Sequence, residues 1–233
     1  MLPAILADLN DKEKAIYTDF LGMVRNFDKI SPQEMSDSTI LRFLRSVDFN
    51  VKEALLAVRK SIEWRRSFDW NAIRYIDYGL VQTLLEYTKV GYYGEDFQGR
   101  PIKIVQPADI DPGEILKKIP QEKTFHFQLG NIERLVNIVM PHLSKKYNKH
   151  IFNQVVIVDI KNVNFSRFMA NPKMMDMGRA RSSLFQDNYP ETTGKTIIIN
   201  AGGFFNAFFK IVSVFLRKKT LEKITICNDN YLP

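Results

Sequence analysis

Residues 196–217 read TIIINAGGFFNAFFKIVSVFLR, and the change of rhythm inside this stretch decides the fold. Thr196-Ile197-Ile198-Ile199-Asn200 is a nearly continuous apolar run, the pattern of a strand covered on both faces. Gly202-Gly203 interrupts it. From Phe204 the rhythm is helical: at about 100° per residue, Asn206, Lys210, Ser213 and Arg217 gather into one narrow polar strip. A strand that feeds a long helix is the unit of an α/β sheet. Val155-Val156-Ile157-Val158-Asp159 repeats the strand signal, and Ile224-Thr225-Ile226 gives a third. Lys89 to Tyr93 and Pro101 to Val105 read as two further strands around the turn Gly94-Glu95-Asp96-Phe97-Gln98-Gly99-Arg100. A helix from about Thr124 to Leu143, with Phe125, Leu129, Ile132, Leu135, Val136 and Val139 on its apolar side, supplies the kind of crossover that parallel strands need.

Upstream of residue 69 the chain is helical throughout. Asp11 through Phe27 places Ile16, Phe20, Met23 and Val24 at three- and four-residue spacings, and Ser31-Pro32 ends that pattern. Ser36 or Asp37 can cap a helix carrying Ile40, Leu41, Phe43 and Leu44, because a side-chain oxygen there accepts an orphan backbone N–H. A third helix runs from about Val51 to Phe68. Residues 1–75 are therefore expected to form a helical region, and 76–233 an α/β domain.

The composition narrows the function. There are 233 residues with 33 Lys+Arg against 26 Asp+Glu, a modest positive excess that suits an anionic surface without choosing one. The single thiol, Cys227, can form no internal disulfide, which fits a reducing, cytoplasmic setting. The opening MLPAILADLN lacks the basic start of a secretory signal. No stretch reaches the roughly 20 apolar residues that cross a bilayer. There is no G-x-G-x-x-G after a strand, no phosphate loop and no nucleophile elbow, and the histidines at 126, 142 and 150 are scattered. Surface or capping roles are expected for these histidines, with no metal and no catalytic residue. Asp159, at a strand end, is the one carboxylate in an enzyme-like position, and its expected role is to tie nearby backbone or Lys161. Aromatic residues sit in core-like runs, so nucleic acid is not expected as a partner.

The segment from Phe204 onward is too apolar for an ordinary surface helix. Phe204, Phe205, Phe208, Phe209, Ile211, Val212, Val214, Phe215 and Leu216 cover an arc of roughly 220°, whereas a helix on one side of a core needs about 100°. Two readings are open: a helix wedged inside the core, or a lid with one greasy face over a cavity and the other ready for a membrane. Arg217, Lys218 and Lys219 come directly after the segment, where cations suit a helix C-terminus and an anionic lipid surface.

The motifs taken in order resemble the CRAL-TRIO family of lipid-binding proteins. They are Leu41-Arg42-Phe43-Leu44-Arg45, Phe49-Asn50-Val51, Trp64-Arg65-Arg66, Gly99-Arg100-Pro101, the Val155–Asp159 strand, Gln186-Asp187-Asn188-Tyr189-Pro190-Glu191, Gly194-Lys195 and Ile199-Asn200-Ala201. The resemblance implies a mixed, mostly parallel sheet as the floor of a hydrophobic pocket, lined by Val156, Val158, Phe165, Phe168, Ile197 and Ile199, with Phe204–Leu216 as a gate helix. It implies a non-enzymatic, monomeric carrier that needs no cofactor, holds one phospholipid (such as phosphatidylinositol) or other lipophile, and visits membranes transiently. A lipid-sensing adaptor and a hydrolase centred on Asp159 are the alternatives. By the same resemblance Glu191, Thr220 and Lys223 are headgroup candidates. Val47 and Asp48 stand where phosphoinositide-binding members carry an Arg-Lys pair, Thr192 where an Arg follows the Glu, and Gln154 and Val156 at Ser/Thr positions associated with phosphatidylcholine. The chain also stops short of the family's usual last helix.

Overall fold

Five strands form the sheet of the computed structural model, which describes residues 2–68, 78–107, 117–161, 163–170 and 172–228. They are β1 (Thr88–Glu95), β2 (Pro101–Pro107), β3 (Gln154–Asp159), β4 (Thr193–Ile199) and β5 (Ile224–Ile226), and they lie side by side in chain order. β1 and β2 pair antiparallel, while β2 to β5 are parallel, so the expected mixed, mostly parallel α/β sheet is present. The β1–β2 turn is built around Asp96, whose carboxylate accepts from the backbone N–H groups of Gln98 and Arg100 and from the Arg100 guanidinium. Gly94 and Gly99 hold φ of +83° and +79°, the left-handed region in which a Cβ is disfavoured.

Before the sheet come α1 (Leu2–Ala7), α2 (Asp11–Gly22), α3 (Asp37–Ser46), α4 (Val51–Arg66) and α5 (Tyr78–Tyr87). Helix α2 starts in a capping box between Asn10 and Glu13 and widens into a π turn over Met23–Phe27. Ser36 caps α3 and Asn50 caps α4, each accepting from the backbone N–H three residues on. Helices α1 to α4 and this π turn close their own core around Tyr17, Phe20, Val24, Ile40, Leu41, Leu44 and Val58. The predicted boundary near residues 69–80 lies largely outside the described residues.

The crossover from β2 to β3 contains α6 (Gln121–Arg134), a π turn over Leu135–Val139, and α7 (Met140–Lys146). Between β3 and β4 lie α8 (Phe165–Met169) and α9 (Pro172–Asn188); between β4 and β5 lie α10 (Gly203–Ser213) and the short α11 (Lys218–Leu221). Side-chain ties among the described residues join the helical front to the rest. The Arg65 guanidinium pairs with Glu133 of α6, whose same oxygen accepts from the Tyr189 hydroxyl at 2.6 Å. Arg42, fully buried, donates to Thr39 and to the Phe152 carbonyl. His150 bridges Ser38 and Asp8.

His150 corrects the sequence reading. It is 3% exposed rather than superficial, because two partners distant in the chain satisfy both ring nitrogens.

Candidate functional site

Alternation along the strands sorts the sheet into two faces. Register pairs Val105 with Val158, Val158 with Ile198 and Ile198 with Ile226, so these four side chains share one face. Val158, Ile198, Ile224 and Ile226 form one apolar cluster with Phe205, Phe208 and Phe209 of α10 and Phe165 of α8. That cluster is aromatic at its centre. Phe165 meets Phe205 edge-on at 5.4 Å and Phe208 at 4.6 Å, and Phe205 stacks with Phe209 at 5.7 Å. Such ring pairs are worth about 0.5–1.5 kcal/mol each beyond the area they bury.

The floor beneath this cluster is incompletely covered. β3 has a strand on either side, yet Val156 and Val158, which share the α10 face, are only half-buried. Apolar side chains at the centre of a parallel sheet are normally shielded on both faces. Here apolar surface is left open.

The predicted pocket residues divide. Val156 and Val158 lie on the α10 side, whereas Ile197 and Ile199, one residue out of phase with Ile198, point to the opposite face. The physical reason is register: Val156 and Val158 pair with Thr196 and Ile198, so the alternate set Ile197 and Ile199 falls on the other face. Phe165 is on the α10 side; the side chains of Phe168 and Phe204 lie outside the described residues.

The predicted gate helix is also shorter than its apolar run. It ends at Ser213; Phe215 and Leu216 close a tight turn by donating to the Val212 and Ser213 carbonyls, and Arg217 then caps α11. Arg217 is therefore not at the C-terminus of the gate helix as expected. Phe205 is buried and Phe208, Phe209, Val212 and Phe215 are half-buried, while Ile211 and Val214 are 41% and 74% exposed. The wide arc is thus split between an inner face on the cluster and an outer face on solvent. Gly202 has an ordinary φ of −68°, so the helix entrance makes no special demand for glycine.

Gln186 of α9 organises the turn between α10 and α11, and sequence reasoning assigned it no role. Its amide nitrogen donates to the Phe215 carbonyl at 3.2 Å, and its oxygen accepts from the Arg217 backbone at 2.8 Å and the Thr220 hydroxyl at 3.4 Å. Of the three basic candidates, Arg217 pairs with Asp187, and Lys219 pairs with Asp48 at 2.6 Å while donating to the Arg45 carbonyl at 2.8 Å. Lys218 alone stands out, its side chain 90% exposed and only 4.0 Å from Glu222. Among the headgroup candidates, Glu191 and Lys223 hold each other at 2.7 Å with both side chains largely buried, and Thr220 turns to Gln186.

Asp159 is a structural tie, as expected. It accepts from Asn200 at 2.6 Å, from the Lys161 backbone at 3.1 Å and from Gln106 at 3.1 Å. Burial pushes its carboxyl up, but these hydrogen bonds outweigh it and hold the group below the usual carboxylate value. A general base needs the reverse shift.

The family described as the CRAL/TRIO domain matches residues 85–232, which contain the whole sheet and α10. The chain belongs to this family. Among its relatives, the Sec14 cytosolic factor of Schizosaccharomyces pombe is 31% identical over 204 residues, covering 85% of this chain and 69% of that protein. The phosphatidylinositol/phosphatidylcholine transfer protein SFH12 of Arabidopsis thaliana is 27% identical over 229 residues, 97% of this chain. This CRAL/TRIO chain spans 42% of the length of that plant protein. A crystal structure of Sfh5 superposes with a TM-score of 0.67 over 94% of this chain and 81% of its own, at 15% identity, a likeness of fold.

Proposed function

We propose that this chain carries a single lipid, taking its acyl part onto the half-covered sheet floor beneath α10 and exchanging it at membrane surfaces by moving that helix. The observation that carries the reading is the half-buried Val156 and Val158 floor beside a Phe-rich helix with a second apolar face outside. An acyl chain leaves a bilayer only for an equally dry place, at about 0.8 kcal/mol per CH₂ group, and an apolar floor offers one. Relatives whose names specify phosphatidylinositol and phosphatidylcholine transfer make a phospholipid the first ligand to test. On this reading the protein is not an enzyme, acts as a monomer with no cofactor other than its lipid, and associates with membranes peripherally and reversibly. The Glu191–Lys223 pair with Thr220 is the candidate contact for a headgroup, though the pair must open to serve it.

The test is transfer itself. Purified protein is expected to move a fluorescent phospholipid from donor to acceptor vesicles at a rate proportional to protein concentration, and native mass spectrometry should show one lipid mass per chain. Protein that stays free of lipid after incubation and moves none defeats the proposal.

A further inference from the structure

Lys103 sits in the middle of β2 and has no counter-ion among the described residues. Register places it between Tyr92 of β1 and Val156 of β3. Its side chain therefore leaves the sheet on the face that carries Val158 and Ile198, the α10 side. No hydrogen bond or ion pair engages its ammonium among the described residues, and burial pushes its pKa down with no opposing carboxylate. A half-buried cation left unpaired is costly, and such groups persist where something else supplies the charge.

Its neighbours complete a donor set. The Tyr92 hydroxyl reaches across β2 to donate to the Gln154 side-chain oxygen at 3.2 Å. Gln154 shares a face with Val156 and is 4% exposed. With its oxygen taken by Tyr92, its amide nitrogen is left as a donor with no acceptor among the described residues. One ammonium and one amide N–H₂ with no acidic neighbour among the described residues suit an oxyanion and repel a quaternary ammonium. Tyr92 is 43% exposed, so this end of the face opens to solvent. Two residues further along the strands, about 7 Å away, the Val105–Val158–Ile198 row begins the apolar floor. Charge at the mouth and apolar surface beyond it match an amphiphile lying along the strands.

We infer that Lys103, with the Gln154 amide, binds the terminal phosphate or carboxylate of an anionic lipid whose acyl part lies on the Val156–Val158 side of the sheet. This rests on the carrier reading, names the ligand's charge class, and moves the headgroup contact from the Glu191–Lys223 pair, whose charges already satisfy each other, to Lys103.

The experiment exposes the full chain and its Lys103→Met variant to vesicles of equal parts phosphatidylcholine and phosphatidic acid, then reads retained lipid by native mass spectrometry. The unaltered chain is expected to retain phosphatidic acid about tenfold over phosphatidylcholine, the size of one charge-assisted contact. Lys103→Met should lose that preference while still taking up lipid, and Lys103→Arg should restore most of it. Thermal melting of each variant guards against misfolding; removing an uncompensated cation should raise Tm in Lys103→Met. Equal retention of both lipids by the unaltered chain, or a preference unchanged in Lys103→Met, overturns the inference and leaves the carrier reading intact. A chain that retains no lipid overturns both. Stabilisation by inorganic phosphate alone, with no lipid preference, overturns the lipid source of the anion.

Discussion

His150 is held by chemistry that fixes its tautomer. Asp8 can only accept, so Nδ1 of the ring donates to it at 3.2 Å, and Nε2 accepts from the Ser38 hydroxyl at 2.9 Å. Burial pushes the imidazole below its ordinary 6.5; Asp8 opposes this, and Arg45 and Arg42 reinforce it. The unfolded chain therefore takes up a proton that the folded chain refuses, and the stability involved is complete above 6.5 and lost as pH falls toward the folded pKa. Asp8 has the other sign of group with the same direction. Burial raises it, but the His150 and Arg45 contacts outweigh burial, so its contribution disappears only in more acid solution, below 3.8. Urea unfolding measured on both sides of pH 6.5 should show a midpoint that falls on the acid side. His150→Gln keeps hydrogen-bonding capacity without titrating there and should flatten that decline. A midpoint insensitive to pH in the unaltered chain would mean that folding leaves the pKa of His150 unchanged. Nothing local in the sequence marks this residue, because its partners lie 112 and 142 positions away. Lys103 was closer to legible: the Ile102-Lys103-Ile104-Val105 alternation already set it on the same side as Val105, but not what stood opposite.

Helix α10 shows what periodicity can and cannot deliver. Asn206, Lys210 and Ser213 do lie on one polar strip of a helix, as the 3.6-residue period requires. Where the helix stops depended on Gln186, which binds the turn after Ser213 from a different element. The apolar arc also gave no sign of which half faces inward. Phe208 and Phe209 pack in the aromatic cluster, so acidic substitutions there would report on folding rather than on membranes. Ile211 and Val214 are the positions that test the outer face. The Ile211→Asn, Val214→Asn pair removes apolar surface without adding negative charge near the helix C-terminus, where an acid would be unfavourable. Exposed substitutions of this kind alter stability by about 0.5 kcal/mol or less. Each residue is worth about 1.5–3 kcal/mol when fully buried. Co-sedimentation with anionic vesicles should therefore weaken about tenfold or more, with Tm nearly unchanged. Undiminished binding would place the membrane contact elsewhere on the molecule.

At the scale of the molecule, the strands were legible because each is a short, dense apolar segment between turn signals, and their number and composition fixed an α/β sheet. Which strand faces meet which helices was not, because register decides that: one residue of phase sent Ile197 and Ile199 away from α10 while keeping Ile198 beneath it. Helix α9, absent from the sequence reading, carries the clasp on the far side of α10. The motion open to α10 is limited on both flanks. Before the helix, the Ala201 backbone donates to the Cys227 carbonyl; after it, Arg217 is bound to Gln186 and Asp187. On the carrier reading, a helix pinned at both ends can swing only by parting the rings of Phe165 and Phe208, now 4.6 Å apart, and those around Phe205. Linking α8 to α10 should then stop exchange without emptying the site. In a Cys227→Ser background, Phe165→Cys with Phe208→Cys, loaded with fluorescent phospholipid and then joined by a short bis-maleimide, should retain its lipid and transfer essentially none. The same variant left unlinked controls for the cost of removing two rings and should still transfer. Equal transfer by the linked and unlinked forms would mean that lipid leaves by a route that does not move α10, and the helix would then be a wall of the site rather than its door.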